Sequence, residues 1–286
     1  MKKTKISVII TCFNYSEYVT DALESVSLQS LEDFECIIVD DGSTDNSKDV
    51  INQWIKKDAR FIYYYQENSG VSSARNKAIS LSQSKYILPL DADDMISGNY
   101  LEECYKIISS NINVKVVYGS SYLLNKPKKS WNLGVYNYEN LLYQNMIHCS
   151  AVFKKDDWNE IGGYDINLKK GLEDWEFWIN LLKKGGDVVK LDSCHFFYRI
   201  KEFSLNRTVV KDNYGYDSRL YIFNKHKNKY KALNDYDLCF ENFHLKNKIR
   251  NPLIYLTTKK LFLLLLDSAL LDVFSLIRRV RRKVKR

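Results

Sequence analysis

Runs of aliphatic residues alternate with helically spaced ones along the first 120 residues. Ile6–Ile10 is short and β-branched and predicts a first strand. Between residues 16 and 29, Tyr18, Val19, Ala22, Leu23 and Val26 recur at helical spacing, which predicts a helix with one buried face. Phe34–Val39 and Phe61–Tyr65 predict the next two strands. A helix to about Ile55 is expected between them, and another through Ser72–Ile79 after them. Tyr86–Leu90 is apolar, as a parallel strand covered on both faces should be. A helix around 98–109 and a strand at Val114–Tyr118 complete the series. This order predicts an α/β fold, with a mostly parallel central sheet, helices on both faces and right-handed crossovers.

The pattern loosens over 119–170. Asn125–Lys129 reads as a loop, Ile147–Phe153 as a strand, and Ile161–Asp165 as a turn. The two glycines of that turn suit a backbone that is strained or closely approached. Trp175, Trp178, Ile179 and Leu182 then fall on one helical stripe, and Val188–Leu191 and His195–Arg199 read as extended segments.

Composition adds constraints. The 286 residues are 45% hydrophobic, enough for a sizeable core. The six cysteines are scattered, with no C-x-x-C and no neighbouring His at zinc spacing, so buried free thiols are expected. Met1-Lys2-Lys3-Thr4-Lys5 leads directly into a strand rather than a signal peptide's apolar stretch. These features predict a reducing, cytoplasmic setting. The net charge is +8, and residues 278–286 contribute seven basic residues and no acid, leaving +1 for the rest. The basic character belongs to a tail.

The chemistry sits at strand ends. Tyr86–Leu90 runs into Asp91-Ala92-Asp93-Asp94, three carboxylates within four positions. Such a cluster at the carboxyl edge of an α/β sheet lies where ligands bind. Its mutual repulsion would be relieved by Mg²⁺ or Mn²⁺, ions that share their coordination with substrate phosphates, and a solvated acidic turn is the alternative. The second strand also ends in acid, Asp40-Asp41-Gly42-Ser43-Thr44-Asp45. There a strand-end Asp can accept from an imide N–H such as uracil N3, although the run also suits a helix-capping turn. Glu173 and Asp174 open a helix, where the macrodipole would keep a carboxylate ionised for use as a general base. Simple charge complementation of that helix end is the alternative. His195 reads as a packed residue rather than a metal ligand. The first strand is followed by no G-x-G-x-x-G, which argues against a dinucleotide-binding oxidoreductase.

In order, these pieces resemble the family 2 glycosyltransferases. They are Ser7–Asn14, Asp40–Asp45, Asn68-Ser69-Gly70 with Ala74-Arg75-Asn76, Asp91–Asp94, and Gly171–Glu176, and together they cover about residues 5–200. The resemblance implies a GT-A fold and an inverting transfer from a nucleotide-sugar, here a UDP-sugar carrying a hexose or N-acetylhexosamine. It implies that Thr11 and Asp40 sit at the nucleotide base. Asn68 and Arg75 would complete that pocket, or Arg75 would brace the aspartates. Asp91 would contact ribose or donor sugar, and Asp93 would hold the metal. Asp174 would be the general base, with Glu173 beside it contacting donor or acceptor. Many relatives carry Pro where this chain has Thr11, a change that a backbone contact to the base survives.

Two regions are therefore expected: a catalytic domain over 1–205 and a helical C-terminal region over 206–286. In the latter, residues 261–277 are apolar with two Asp, too short and too charged for a span, and the basic run follows. An amphipathic helix of this kind suits the anionic inner face of a plasma membrane. A glycan or lipid-linked acceptor would fit peripheral attachment there, and a packing or oligomer-forming helix is the alternative. A sugar nucleotidyltransferase would want a Gly-rich basic loop after the first strand, which Thr11-Cys12-Phe13-Asn14-Tyr15 is not. A nucleic-acid binder would want aromatic residues interleaved with its basic ones, and the tail has none.

Overall fold

The computed structural model describes residues 4–124, 126–169, 171–201 and 214–230, together with Tyr236 and Phe240. The chain divides into two compact units, Met1–His226 and Lys227–Arg286. The first alternates strand and helix as β1 (Ile6–Cys12), α1 (Val19–Ser27), β2 (Phe34–Asp41), α2 (Ser47–Lys57), β3 (Phe61–Gln66), α3 (Val71–Leu81) and β4 (Tyr86–Asp91). It continues through β5 (Met95–Ile96), α4 (Tyr100–Ser110), β6 (Val114–Leu123), β7 (Lys126–Ser130), α5 (Tyr138–Leu141) and β8 (Val152–Lys154). Next come α6 (Lys155–Ile161), α7 (Glu173–Leu181), β9 (Asp187–Tyr198) and α8 (Tyr214–Lys225). Of the second unit, a 3₁₀ turn at Lys227–Lys229 and two aromatic residues, Tyr236 and Phe240, whose rings meet at a tilt, are described.

The described strands form one sheet in the order β3-β2-β1-β4-β8-β6-β9-β5, with β7 added to β6. Its first half, β3-β2-β1-β4, is parallel throughout. The second half is mixed: β8 runs antiparallel to both β4 and β6, whereas β6 and β9 are parallel. β1 and β2 are buried along their whole length, which fits their mostly aliphatic sequence. Pro89 lies in β4, but β8 pairs with β4 only at Tyr86 and Ile87. It therefore sits where β4 has a single neighbouring strand, a place that tolerates a missing N–H.

The structure departs from the expected elements in three places. Asn125–Lys129 was expected as a loop, but Lys126–Ser130 is strand β7, antiparallel to β6 across a register shift. The partner is the strand just before it, β6, which supplies the ladder bonds that the Lys- and Pro-rich sequence itself does not signal. The strand expected over Ile147–Phe153 shortens to Val152–Lys154. The two extended segments after α7 join into one strand, β9, which pairs with β6 along its length.

Register delivers the site. Parallel pairing sets Thr11 opposite Asp91 and Cys12 opposite Asp40, so three strand ends reach one edge of the sheet together. Two glycines make close approaches near it. Gly42 has φ +79°, and a Cβ there would lie 2.8 Å from the Asn68 backbone nitrogen. Gly163 has φ +82°, and a Cβ would meet Asn76 Oδ1 at 2.6 Å. The expected closely approached backbone of the Ile161–Asp165 turn is thus Gly163. Glu176 of α7 is fully buried and accepts from Lys225 Nζ at 2.9 Å and from His226 Nε2 at 2.7 Å, which docks the end of α8 on α7.

Candidate functional site

The loops after β1 and β2 are laced together. Asn14, itself at φ 58°, accepts from the Thr44 backbone N–H at 2.7 Å, and its own N–H donates to Ser43 Oγ at 3.0 Å. Asp40 is buried, with Oδ1 accepting from the Ser43 N–H at 2.8 Å and Oδ2 from the Tyr63 hydroxyl at 2.9 Å. Each carboxylate oxygen keeps a further lone pair for a ligand N–H. Asp41 points the other way and folds the next loop, accepting from Gln66 Nε2 and from the backbone N–H groups of Ser69 and Gly70. Thr11 is buried at the base of this wall, and Asn68 is exposed at its rim.

Arg75 projects from α3 into the centre and is 2% exposed. One terminal nitrogen donates to Asp91 Oδ1 at 2.6 Å and the other to Glu173 Oε1 at 2.8 Å. Burial would push the guanidinium pKa down, but the two carboxylates outweigh it and hold Arg75 well above its ordinary value. Of the two roles the sequence left open, this geometry matches bracing. The next residue, Asn76, does similar work on backbone. Its Oδ1 accepts from the Tyr164 N–H and from Trp158 Nε1, and its Nδ2 donates to the Tyr164 carbonyl.

The acidic turn carries more negative charge than its partners neutralise. Asp93 Oδ2 pairs with Lys201 Nζ at 2.7 Å. Burial and then Asp91 raise the Asp93 pKa, and Lys201 opposes them. Asp94 is 1% exposed, and burial followed by repulsion from Asp93 and Asp91 pushes it well above the usual carboxylate range. Its Oδ1 accepts from the Arg199 N–H at 2.9 Å, and its Oδ2 has no hydrogen-bond partner among the described residues. Cys149 donates to Asp91 Oδ2 at 3.6 Å, and ligand atoms of Asp91, Asp94 and Cys149 all lie within 4.8 Å of one another. An orphaned buried oxygen among three carboxylates fits a hard divalent cation, with Asp93 able to contribute once it leaves Lys201.

Asp174 opens α7 after Leu172, which holds a left-handed φ of 68°. Backbone strain of this kind marks functional sites. The carboxylate is half-buried; Oδ1 accepts from the Trp175 N–H and Oδ2 from Asn145 Nδ2, both at 2.8 Å. Burial and the neighbouring Glu173 raise its pKa to about 7, against Arg75 and the two hydrogen bonds. The helix dipole was expected to keep Asp174 ionised. Desolvation and repulsion outweigh it, and the group titrates near neutrality, where a general base works best.

Sequence reasoning missed Asn145, Cys149, Arg199 and Lys201, and it had no means of pairing Tyr63 with Asp40. A basic pair in Arg199-Ile200-Lys201, just after a strand, was the one available signal. His195 is packed as expected: Nδ1 is 2.6 Å from Ser97 Oγ, and the Tyr100 ring stands edge-on to it. The free thiols of Cys12, Cys36 and Cys104 are buried, also as expected.

A parallel half-sheet whose strand ends collect acid, facing the carboxylates at the start of α7, has the architecture of the GT-A fold of transferases. Residues 7–163, more than half of the chain, match the glycosyl transferase family 2 description, and the chain belongs to that family. It is 31% identical over 215 residues to TuaG of Bacillus subtilis, a protein named for teichuronic acid biosynthesis as a glycosyltransferase. That alignment covers 73% of this chain and 84% of TuaG. Residues 1–349 of S. aureus TarS, solved with UDP-GlcNAc, superpose with a TM-score of 0.60 at 17% identity, over 83% of this chain and 79% of that one. The mannosyltransferase PcManGT of Pyrobaculum calidifontis, solved with GDP-Man and Mn²⁺, gives 0.61 at 18% identity, over 72% of this chain and 60% of that one. Both structures share the fold.

Replacing Arg75 with Met strands Asp91 and Glu173 as uncompensated charges. The expected loss is about 3–5 kcal/mol of unfolding free energy, read from urea midpoints. An unchanged midpoint would show that the bridge carries no stability.

Proposed function

We propose that the protein is an inverting glycosyltransferase that moves a hexose or N-acetylhexosamine from a UDP-sugar to a hydroxyl of a glycan or lipid-linked acceptor. The observation that carries this reading is the Asp91–Arg75–Glu173 bridge, which sets the acidic turn and Asp174 on one rigid frame. Asp40 and Thr11 would face the uracil, Asn68 the nucleotide rim and Asp91 the ribose or donor sugar. Arg75 would act by positioning Asp91 and Glu173, with Glu173 beside the donor or acceptor. Asp174 would take the proton as the acceptor hydroxyl attacks the anomeric carbon. Single displacement breaks the bond to the diphosphate on the opposite face, so an α-linked donor gives a β-linkage. Asp93, with Asp91 and Asp94 beside it, would hold a Mg²⁺ or Mn²⁺ ion. Such an ion neutralises the charge developing on a leaving diphosphate. TuaG's name and the UDP-GlcNAc and Mn²⁺ of the two solved structures support a nucleotide-sugar, metal-assisted reaction in cell-surface polysaccharide assembly.

The chemistry is assigned to residues 1–205, and attachment to an anionic membrane surface is assigned to 206–286. Residues 261–286 lie outside the described residues. Among the described residues no helix is long and apolar enough to cross a membrane. The basis for attachment is the seven basic residues of 278–286, at roughly 1 kcal/mol each near an anionic surface. A chain ending at Thr258 should therefore shift from the membrane to the soluble cell fraction. Full retention at the membrane would remove the tail from the account.

Calorimetric titration with UDP tests the donor site. Binding should require Mn²⁺ or Mg²⁺ and should weaken at least tenfold in Asp93→Ala. Binding of GDP or dTDP in place of UDP would change the donor, and no nucleoside diphosphate binding at all would end the proposal.

The pH profile tests the base. Asp174 acts as carboxylate, and its pKa lies near 7, so kcat/KM should fall about tenfold per pH unit below 7 and level off above it. Asp174→Asn should lose about 10²–10⁴ in kcat and lose that acid limb. A variant with near-normal kcat would assign the base elsewhere.

A further inference from the structure

Lys201 occupies the Asp93 carboxylate that the proposed ion site would use. Its Nζ lies 2.7 Å from Asp93 Oδ2, donates to the Tyr15 hydroxyl at 2.7 Å and sits 3.9 Å above the Tyr15 ring. The pair is enclosed, with side chains 15% and 11% exposed. The chain just before it is fastened to the same turn. The Arg199 N–H donates to Asp94 Oδ1, its Nε to the Asp93 carbonyl at 2.8 Å, and its guanidinium to Asp21 at 2.6 Å. Arg199 thus delivers Lys201 to the acidic turn, and the ammonium is not a chance surface contact.

An ammonium and a divalent cation cannot share one buried carboxylate oxygen at contact distance, because their charges repel in a poorly screened setting. The buried Asp94 Oδ2, without a partner among the described residues, shows that the turn keeps acceptor capacity that Lys201 does not use. We propose that Lys201 is a resident counter-cation that competes with the divalent ion for Asp93, and that a nucleoside diphosphate accepts its ammonium when the ion takes its place. Lysine suits that exchange: it is a point charge on a flexible stem that can move from carboxylate to phosphate. Metal and diphosphate then bind cooperatively, each raising the other's affinity by the same factor. This rests on the donor-site reading above, since that reading supplies the diphosphate.

The test is calorimetric titration of the full chain with Mn²⁺, alone and with saturating UDP, for the wild type, Lys201→Gln and Lys201→Arg. Without UDP, Lys201→Gln should bind Mn²⁺ at least tenfold tighter than wild type, and Lys201→Arg should stay within about threefold of it. The factor by which UDP improves Mn²⁺ affinity should drop at least tenfold in Lys201→Gln. Equal Mn²⁺ affinity of wild type and Lys201→Gln without UDP would overturn the competition. An undiminished UDP effect in Lys201→Gln would overturn the exchange. If UDP binds none of the proteins, the donor reading and the exchange fall, and the Mn²⁺ titrations alone still decide the competition. Lys201→Met, which keeps the apolar stem, replaces Lys201→Gln if the latter melts at a lower temperature than wild type.

Discussion

The two-pronged ion pair of Arg75, on α3, ties the end of β4 to the start of α7, and Arg75 and Glu173 lie 98 residues apart in the chain. A buried guanidinium is costly to desolvate, and the two carboxylates offset that cost. Asp91 and Glu173 in turn can sit so close to Asp93, Asp94 and Asp174 because Arg75 is there. The neighbouring Asn76 fastens the same helix to Tyr164 and Trp158, and Gly163 leaves the space that this contact needs. The Ala74-Arg75-Asn76 triplet is therefore the seam between the parallel half of the sheet and the segment that carries Asp174.

Crowded carboxylates then reach three different solutions within one site. Asp91 and Glu173 share a fixed cation. Asp93 pairs with the ammonium of Lys201, and the adjoining Asp94 leaves one oxygen without a partner among the described residues. Asp174 is shifted toward neutral pH by burial and by Glu173. Under the proposed function the three would serve as a fixed frame, an exchangeable ion site and a proton acceptor working near pH 7.

The parallel half of the fold was legible because its strands are buried on both faces and its helices show one apolar stripe each. Their order and their acidic ends were enough to bring Thr11, Asp40 and Asp91 to one edge. Where stabilisation comes from strand pairing rather than from the residues' own propensity, local pattern failed. The Lys- and Pro-containing β7 is a strand because β6 pairs with it. β9 reads as two pieces until its length along β6 is seen. Asn145, Arg199 and Lys201 reach the site through loops and strand ends whose sequences carry no motif. The role of Arg75 could not be chosen from sequence, since a base contact and a brace need the same residue. The raised pKa of Asp174 was invisible too, because it depends on burial and not on position along the helix.

The most direct measurement of the central claim is the anomalous scattering of manganese in crystals grown with Mn²⁺ and UDP. The account predicts one strong peak within coordination distance of the Asp93 carboxylate and of the diphosphate oxygens, with Arg75 still bridging Asp91 and Glu173. A nucleotide bound with no manganese peak at Asp93, or a peak away from the acidic turn, would contradict it.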